Sequence, residues 1–221
     1  MTDNKTVFFI LGSLQIILGI SMIIPVIIQI IYDEFDGTFV SSGLITIIIG
    51  ILFFLSNLNH KKKINLQQAF LITSLSWVSI AIFASLPFIF SNLHLSPIDA
   101  FFESMSGITT TGSTVINNLI EAPKGILIWR ALLQWLGGIG IVVMAITLMP
   151  LMNIGGMQLF KIDSGEKYEK LMPKTRKLAL NIFNIYFLLT AICGVSYFFA
   201  GMNIFDSLTH AMTTIATGGF S

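Results

Sequence analysis

Two short stretches of this chain follow one pattern: a capped half-length helix, a threonine-rich turn and a closing Thr-Gly pair. The first reads SPIDAFFESMSGITTTGST and closes at Gly112; the second reads NIFDSLTHAMTTIATGGFS and closes at Gly218. Both lie between apolar stretches long enough to cross a membrane. Non-helical backbone at membrane depth is tolerated only where it is buried in protein or lines a water-filled cavity. The repeated pattern therefore favours a pore, and loops of carbonyl groups and threonines favour a cation pore.

The composition places the chain in a membrane. Of its 221 residues, 54% are hydrophobic and only 10% are charged, whereas a soluble domain has about 25% charged residues. We therefore expect an integral membrane protein in contact with the lipid bilayer. Cys193 is the single cysteine, which excludes a disulfide framework and a cysteine-based metal site. No zinc, phosphate-loop or dinucleotide signature is present, so we expect no organic cofactor on this chain and no nucleic-acid partner.

Five stretches are long enough to span a bilayer, which takes about 20 apolar residues. The first is too long for the core of a signal peptide, so we expect it to be retained. The connection after the first span is acidic, whereas those after the second and the fourth are basic. The five stretches are residues 6–32, 39–55, 66–90, 123–152 and 178–201.

The charges of the connections predict the orientation. Alternation of the spans places Lys5 and both basic segments on one side, so that ten of the twelve basic residues share a face. The positive-inside rule makes this face cytoplasmic. The N-terminus is then predicted to be cytoplasmic, and both Thr-Gly loops open outside. Besides Lys5, the basic residues concerned are Lys61, Lys62, Lys63, Lys161, Lys167, Lys170, Lys174, Arg176 and Lys177.

A helix start precedes the first Thr-Gly loop. Ser96 suits an N-cap, Pro97 the first helical position and Asp99 the third. A helix from there to about Gly107 has on the order of 11 residues and a length of ~16 Å. This is only half of the ~30 Å hydrocarbon layer, so the chain must return to the side from which it came. We expect a re-entrant segment.

The second copy repeats the cap with Asn203 and Asp206. Asp99 and Asp206 are 107 residues apart, and Gly112 and Gly218 are 106 apart. The two copies are therefore expected to match except for a difference of one residue in length within the segment. The sequence thus predicts an internal repeat of span, pore helix, loop and span. The expected fold is an all-α integral membrane protein with K⁺-channel-like span–pore helix–span repeats and re-entrant pore loops.

The loops carry groups that suit a weakly hydrated monovalent cation. Each half-helix aims the negative end of its dipole at the membrane centre, and glycine allows backbone conformations closed to other residues. An alternative is that Ser, Thr and Gly serve only helix ends and close helix packing. A catalytic serine is disfavoured because nucleophile-elbow spacing is absent, so we do not expect an enzyme. The candidate ion-binding residues are Thr109, Thr110, Thr111, Gly112, Ala216, Thr217 and Gly218.

Three segments resemble a known family: DAFFESMSGITTTGST, the stretch 129–161, and FDSLTHAMTTIATGGFS. With the order of the spans, they make the chain similar to the N-terminal part of a Trk-type potassium uptake subunit in the Trk/Ktr/HKT superfamily. Residues 1–58, with two extra N-terminal spans, resemble the TrkH branch. The resemblance implies four repeats around one pore in the bacterial inner membrane. It also implies a homodimer and regulation by a cytoplasmic nucleotide-binding ring of the TrkA type.

The resemblance further implies a K⁺ selectivity filter in which K⁺ is the transported ion. Glycine at position 112 favours K⁺ over Na⁺, because serine at this filter position goes with sodium transport in the plant branch of the superfamily. Ala216 departs from the threonine at the matching position of the first loop, a change that a carbonyl ligand tolerates. The residues implied to hold K⁺ are Thr110 and Thr111, next to Gly112, and Ala216 and Thr217, next to Gly218.

The expected domains are a first repeat over 66–152, a cytoplasmic loop over 153–172 and a second repeat over 173–221 that ends after its filter. Because two filter quadrants cannot surround an ion, we expect a full polypeptide of roughly 430 to 490 residues. Proton or sodium symport and channel-like flux both stay open. Two alternatives to a pore also stay open: a non-conducting scaffold or regulatory fragment, and an alternating-access secondary transporter. The like orientation of the two loops counts against the second.

Several other residues invite a structural interpretation. Trp129 and Arg130 are expected at the outer membrane interface, with Arg130 snorkelling to water; pairing of Arg130 with Glu103 or Glu121 is the alternative. Glu103 needs a partner or a structural role inside the membrane, or it attracts cations electrostatically. His210 is expected to be structural rather than pH-sensing. Three glycines in the fourth span are expected to allow close helix packing: Gly137, Gly138 and Gly140.

Overall fold

The computed structural model describes residues 5–57, 66–93, 95–152 and 171–221 of the chain. All regular secondary structure in these ranges is helical. Five helical stretches of the described chain are long and apolar enough to cross a membrane, the number that the sequence predicts. The helices are α1 (Lys5–Ser21), α2 (Ile23–Ile31), α3 (Thr38–Leu55), α4 (Leu66–Ala84), α5 (Leu86–Phe90), α6 (Pro97–Ile108), α7 (Lys124–Met152), α8 (Leu171–Phe199) and α9 (Ile204–Ile215).

Prolines divide two of the spans into two helices each. Pro25 has no amide hydrogen to give to the carbonyl of Ser21, so α1 ends there and α2 begins at Ile23. Pro87 has the same effect between α4 and α5. The first and third spans are therefore interrupted helices.

The N-terminal hairpin of α1 and α3 is held together by close backbone contact. A Cβ atom added to Gly12 would lie 2.6 Å from the amide nitrogen of Phe54, and one added to Gly50 would lie 2.9 Å from that of Ile16. Glycine permits this approach because small residues let membrane helices come together. The fully buried Gln15 of α1 donates its Nε2 hydrogen to Ser79 Oγ of α4 at 2.7 Å, which joins the hairpin to the first repeat.

Two half-helices of 12 residues, α6 and α9, enter the bundle from capped starts. Ser96 Oγ accepts the amide of Asp99 (3.2 Å) and donates to its carboxylate (2.7 Å). Asn203 Oδ1 accepts the amide of Asp206 (2.8 Å), and its Nδ2 donates to that carboxylate (2.6 Å). Reciprocal caps satisfy amide groups that have no partner within the helix. Each half-helix is ~18 Å long, about half of the hydrocarbon layer.

The helix α7 lies at the centre of the described bundle. It contacts α2, α4, α6, α8 and α9, so both half-helices pack against it. The apolar side chains of α8, by contrast, lie mostly on the surface of the described chain. The buried apolar residues in the first turns of α7 are Ile126, Ile128, Trp129, Leu132 and Leu133.

Most of the basic residues behind the predicted orientation lie outside the described residues. These are residues 61–63 together with Lys161, Lys167 and Lys170. The predicted cytoplasmic loop over 153–172 also lies outside them, except for its last two positions, where α8 has begun. The orientation and the domain bounds therefore stay predictions.

Candidate functional site

The first candidate loop begins where α6 ends and turns its amide groups back to that helix. The amide of Thr110 donates to the carbonyl of Gly107 at 2.9 Å. The amides of Thr111 and Gly112 donate to the carbonyl of Ser106 at 2.9 and 3.4 Å. A trans peptide group directs its N–H and its C=O to opposite sides, and the described chain has no cis peptide. The carbonyl groups that consequently point away from α6 are those of Thr109, Thr110 and Thr111.

Two residues of this loop have left-handed backbone: Thr110 (φ 59°) and Gly112 (φ 78°). A β-branched residue rarely adopts this conformation, which persists only where the surroundings enforce it. Thr109 Oγ1 uses its single hydrogen on the carbonyl of Met105 at 2.7 Å, so Thr111 Oγ1 is the donor in the 2.8 Å bond between the two hydroxyls. The hydroxyls brace the loop, and the carbonyl oxygens are the groups directed away from the helix.

The second loop, after α9, has the same geometry 107 residues later. Thr217 and Gly219 have left-handed backbone, with φ values of 62° and 61°. The amide of Thr217 donates to the carbonyl of Thr214 at 2.9 Å, and the amides of Gly218 and Gly219 donate to that of Thr213 at 3.2 and 3.3 Å. The carbonyl groups that point away from α9 are those of Ala216, Thr217 and Gly218.

The structural register differs by one residue from the expected one. Gly112 corresponds to Gly219, and Thr111 corresponds to Gly218, because the caps, amide bonds and left-handed positions all keep the offset of 107. Matching the two Thr-Gly pairs gave an offset of 106 and left Gly219 out. The sequence feature that could have revealed the register is the double glycine at 218–219. Only Gly219 lies 107 residues after Gly112, the same offset that separates the two helix caps.

The structure brings the two loops into direct contact. A Cβ atom added to Gly112 would overlap the carbonyl oxygen of Gly218, and one added to Gly218 would lie 2.7 Å from the carbonyl oxygen of Thr110. The contact between the loops therefore requires glycine at both positions, and the left-handed backbone of Gly112 is a second reason at that position. Two re-entrant loops from different repeats present backbone oxygens at one place.

A buried ion pair lies behind the first loop. Arg130 Nε of α7 donates to Glu103 Oε1 of α6 at 2.7 Å, with 1% and 0% of the two side chains exposed. Glu103 also accepts the hydroxyl of Thr114 (2.9 Å) and the amide of Val115 (2.9 Å), and so holds the segment that leaves the loop. Arg130 does not snorkel, and Trp129 is fully buried with its Nε1 bonded to the carbonyl of Ala84 at 3.1 Å. The interface interpretation was wrong, and the pairing of Arg130 with Glu103 is the one observed.

The corresponding position in the second repeat is His210. Its Nδ1 shares a 2.7 Å hydrogen bond with Ser221 Oγ, which also bonds Thr213 Oγ1 at 2.7 Å. Glu103 and Thr114 thus correspond, at the offset of 107, to His210 and Ser221. Glu103 is fully buried and paired with Arg130, which gives it the partner that a carboxylate inside a membrane requires.

Two glycines of α7 lie against the C-terminal ends of the half-helices from which the loops emerge. A Cβ atom added to Gly137 would overlap the carbonyl oxygen of Ile108 at the end of α6, and one added to Gly138 would lie 3.2 Å from Ala216 Cα. Close packing is therefore confirmed at these two positions. Gly140 makes only ordinary contact, with Trp77 at 3.9 Å from its added Cβ. The helix α7 thus lies against the ends of both half-helices.

A family model described as "TrkH: Cation transport protein" matches residues 36–221, most of the chain. The chain belongs to the TrkH family. Membership of a family of cation transport proteins confirms the expectation that it is not an enzyme. It also confirms the resemblance to Trk-type potassium uptake subunits.

Named members of the TrkH family align over almost the whole chain. The Trk system potassium uptake protein TrkH of Vibrio parahaemolyticus is 38% identical over 221 residues, which are 98% of this chain and 46% of the relative. That of Escherichia coli K12 is 39% identical over 216 residues, which are 96% of this chain and 45% of the relative. The chain therefore spans about half the length of the curated relatives that it matches.

A solved member of the TrkH family has the same fold. The crystal structure of the potassium transporter TrkH from Vibrio parahaemolyticus matches with a TM-score of 0.87 at 36% identity, covering 100% of this chain and 44% of the other. The match confirms the predicted all-α membrane fold with pore-helix repeats. A TrkH-family chain with several membrane-spanning helices is a multi-pass membrane protein.

Proposed function

We propose that this chain forms two of the repeats that line the pore of a Trk-type potassium uptake subunit. The observation that carries the proposal is the pair of touching loops that share one backbone conformation. Their outward-directed carbonyls belong to Thr109 to Thr111 and to Ala216 to Gly218. The names of the relatives, which are potassium uptake proteins, support K⁺ as the transported ion.

The ligands in this proposal are backbone carbonyls rather than carboxylates. Neither loop contains an acidic residue, and the C-terminal, negative ends of α6 and α9 add a favourable potential for a cation. Rings of carbonyl dipoles replace the hydration shell of K⁺ without binding it so tightly that it cannot leave. Thr110, Thr111, Ala216 and Thr217 are proposed K⁺ ligands, as in the sequence analysis, and Gly218 joins them through the structural register.

The driving force in this proposal is the membrane potential across the bacterial inner membrane. Moving one elementary charge inward is worth about 2.3 kcal/mol per 100 mV, which suffices to concentrate K⁺ in the cell. The potential, negative inside, makes this flux inward, and the proposed orientation with a cytoplasmic N-terminus makes both loops open to the outside, from which K⁺ enters. A homodimer, gated by a cytoplasmic nucleotide-binding ring of the TrkA type, completes the proposal.

The test is uptake of Rb⁺ and its inhibition by Na⁺ in bacteria that lack other K⁺ uptake, with the full-length subunit. Gly112→Ser forces a side chain into left-handed backbone and into the carbonyl of Gly218, so discrimination against Na⁺ should fall. Gly37→Ser is the matched control, because Gly37 has φ 77° but nothing within 4 Å of an added Cβ. It should keep the discrimination of the unmodified protein.

Two results would contradict the proposal. Absence of Rb⁺ uptake by the unmodified full-length subunit, at normal abundance in the membrane, would favour the scaffold alternative. Equal discrimination in the Gly112→Ser and Gly37→Ser variants would remove Gly112 from the filter.

A further inference from the structure

Gln134 of α7 lies between the two loops, fully buried. Its Oε1 accepts the backbone amide of Phe220 at 3.0 Å, which fixes the side-chain amide in one orientation because only the oxygen can accept. Its Nε2 then faces Gly218, where it occupies the place of a Cβ atom, and lies 3.6 Å from the Cβ position of Gly112. A residue of the first repeat therefore lies beside the glycines of both loops.

Phe220, the residue that Gln134 holds, is inserted into the first repeat. Its ring lies 3.9 Å from the guanidinium carbon of Arg130, a cation–π contact. Its ring edge would lie 3.1 Å from a Cβ atom added to Gly107 of α6. The position of the second loop is thus defined by α6 and α7, both of which belong to the first repeat.

Arg130 and Gln134 act together because they are one helical turn apart on the same side of α7. Glu103 holds Arg130 on one side, and Arg130 and Gln134 hold the ring and the backbone of Phe220 on the other. The side chains that link the first half-helix to the second loop through these contacts are all buried. Displacement of either residue would move one loop against the other.

We propose that Gln134 is a positioning residue that sets the spacing between the two loops and thereby contributes to selection of K⁺ over Na⁺. The proposal rests on the function proposed above. Selectivity depends on the spacing or the number of the carbonyl ligands, and binding groups must be held within about 0.5 Å of the productive geometry. Within the described residues, Gln134 Nε2 has no hydrogen-bond partner. Burying an unpaired donor lowers stability, and the protein nevertheless has one beside the loops.

The test is Gln134→Met in the full-length subunit, with Gln15→Met as the matched control. Methionine keeps the length of the side chain and removes the acceptor. Gln15 is equally buried in a membrane helix, bonds another helix through Nε2 and has an unpartnered Oε1 within the described chain, but it lies in the N-terminal hairpin. The readout is the Na⁺ concentration that halves Rb⁺ uptake, at matched abundance in the membrane.

We expect Gln134→Met to lower this Na⁺ concentration on the order of tenfold, the effect of one buried hydrogen bond lost with its donor left unpaired. Gln15→Met should leave it unchanged even where it lowers thermal stability. An unchanged value in Gln134→Met, together with altered discrimination in Gly112→Ser, would overturn the inference and leave the proposed function standing. Absence of Rb⁺ uptake by the unmodified subunit would overturn both.

A second variant covers the case in which Gln134→Met does not reach the membrane. Phe220→Leu keeps the backbone amide for Gln134 but removes the ring that Arg130 and Gly107 contact. It should lower the half-inhibitory Na⁺ concentration in the same direction. Unchanged inhibition in this variant would overturn the inference.

Discussion

Glu103 and His210 occupy the same position of their half-helices, and each binds a hydroxyl group of the segment that follows its loop. Glu103 binds Thr114, and His210 binds Ser221. The same contact is thus made by a carboxylate in the first repeat and by an imidazole in the second. Among the described residues, the first repeat adds a buried ion pair between Glu103 and Arg130. The conformation of the first loop therefore depends on charge compensation.

Glu103→Gln is predicted to destabilise the full-length subunit. It removes the counter-charge of Arg130, which stays buried, and breaking a buried pair in this way costs about 3–5 kcal/mol. The expected result is a marked decrease of the thermal unfolding midpoint in detergent. The apparent affinity for Rb⁺ should keep its dependence on ionic strength, because the charge of Glu103 is neutralised and enclosed.

Two variants control this prediction. Glu121→Gln removes an exposed carboxylate and should leave the midpoint within error of the unmodified protein. The double variant Glu103→Gln/Arg130→Gln should recover part of the loss, because neighbouring partners are not additive. A double variant less stable than Glu103→Gln would contradict the ion-pair interpretation.

Gly218→Ala is predicted to be more harmful than Gly219→Ala. A Cβ atom at position 218 would overlap the amide of Gln134 and approach the carbonyl of Thr110 at 2.7 Å, and overpacking of this kind costs about 1–3 kcal/mol. Gly219 has open space around its Cβ position but left-handed backbone, which costs alanine about 1–2 kcal/mol. Gly218→Ala should therefore alter Na⁺ inhibition of Rb⁺ uptake, whereas Gly219→Ala should mainly lower stability.

Gly219→Asn is the control for the cost of left-handed backbone, since asparagine adopts this conformation more readily than alanine does. It should be more stable than Gly219→Ala. The opposite order would argue that the space around position 219 is filled in the complete subunit.

Gly12→Ala is predicted to loosen the N-terminal hairpin, whereas Gly43→Ala is not. The added methyl group at position 12 would lie 2.6 Å from the amide nitrogen of Phe54 and 2.7 Å from the carbonyl oxygen of Gly50, neither of which can move without its helix. At position 43 the nearest atom, the carbonyl oxygen of Gly19, is 3.3 Å away. We expect Gly12→Ala to cost about 1–3 kcal/mol, measured as a lower unfolding midpoint. Equal midpoints for the two variants would count against the packing described.

Local chemistry made much of the fold predictable. The length of the spans follows from bilayer thickness, and the starts of α6 and α9 follow from Ser96 with Asp99 and Asn203 with Asp206, because a cap is made by residues close in sequence. The ends of the half-helices and the general place of the loops followed from the threonine and glycine content.

Features that depend on tertiary contact were not predictable. The one-residue register of the second loop depends on which glycine takes left-handed backbone, and Gly218 and Gly219 look alike in sequence. Pairing of Arg130 with Glu103 was one of the alternatives, but the sequence did not decide between it and snorkelling, because Glu103 lies 27 residues earlier on another helix. Gln134 gave no signal at all, because its partner Phe220 is 86 residues away.

The insertion of Phe220 into the first repeat has a consequence for biosynthesis. Gly107 and Arg130, which form its seat, precede it by 113 and 90 residues, so they leave the ribosome well before it. Because the protein is synthesised from its N-terminus, the residues that contact the Phe220 ring are translated before Phe220 itself. The second loop can take its shape from a template that already exists, and assembly can follow the order of synthesis.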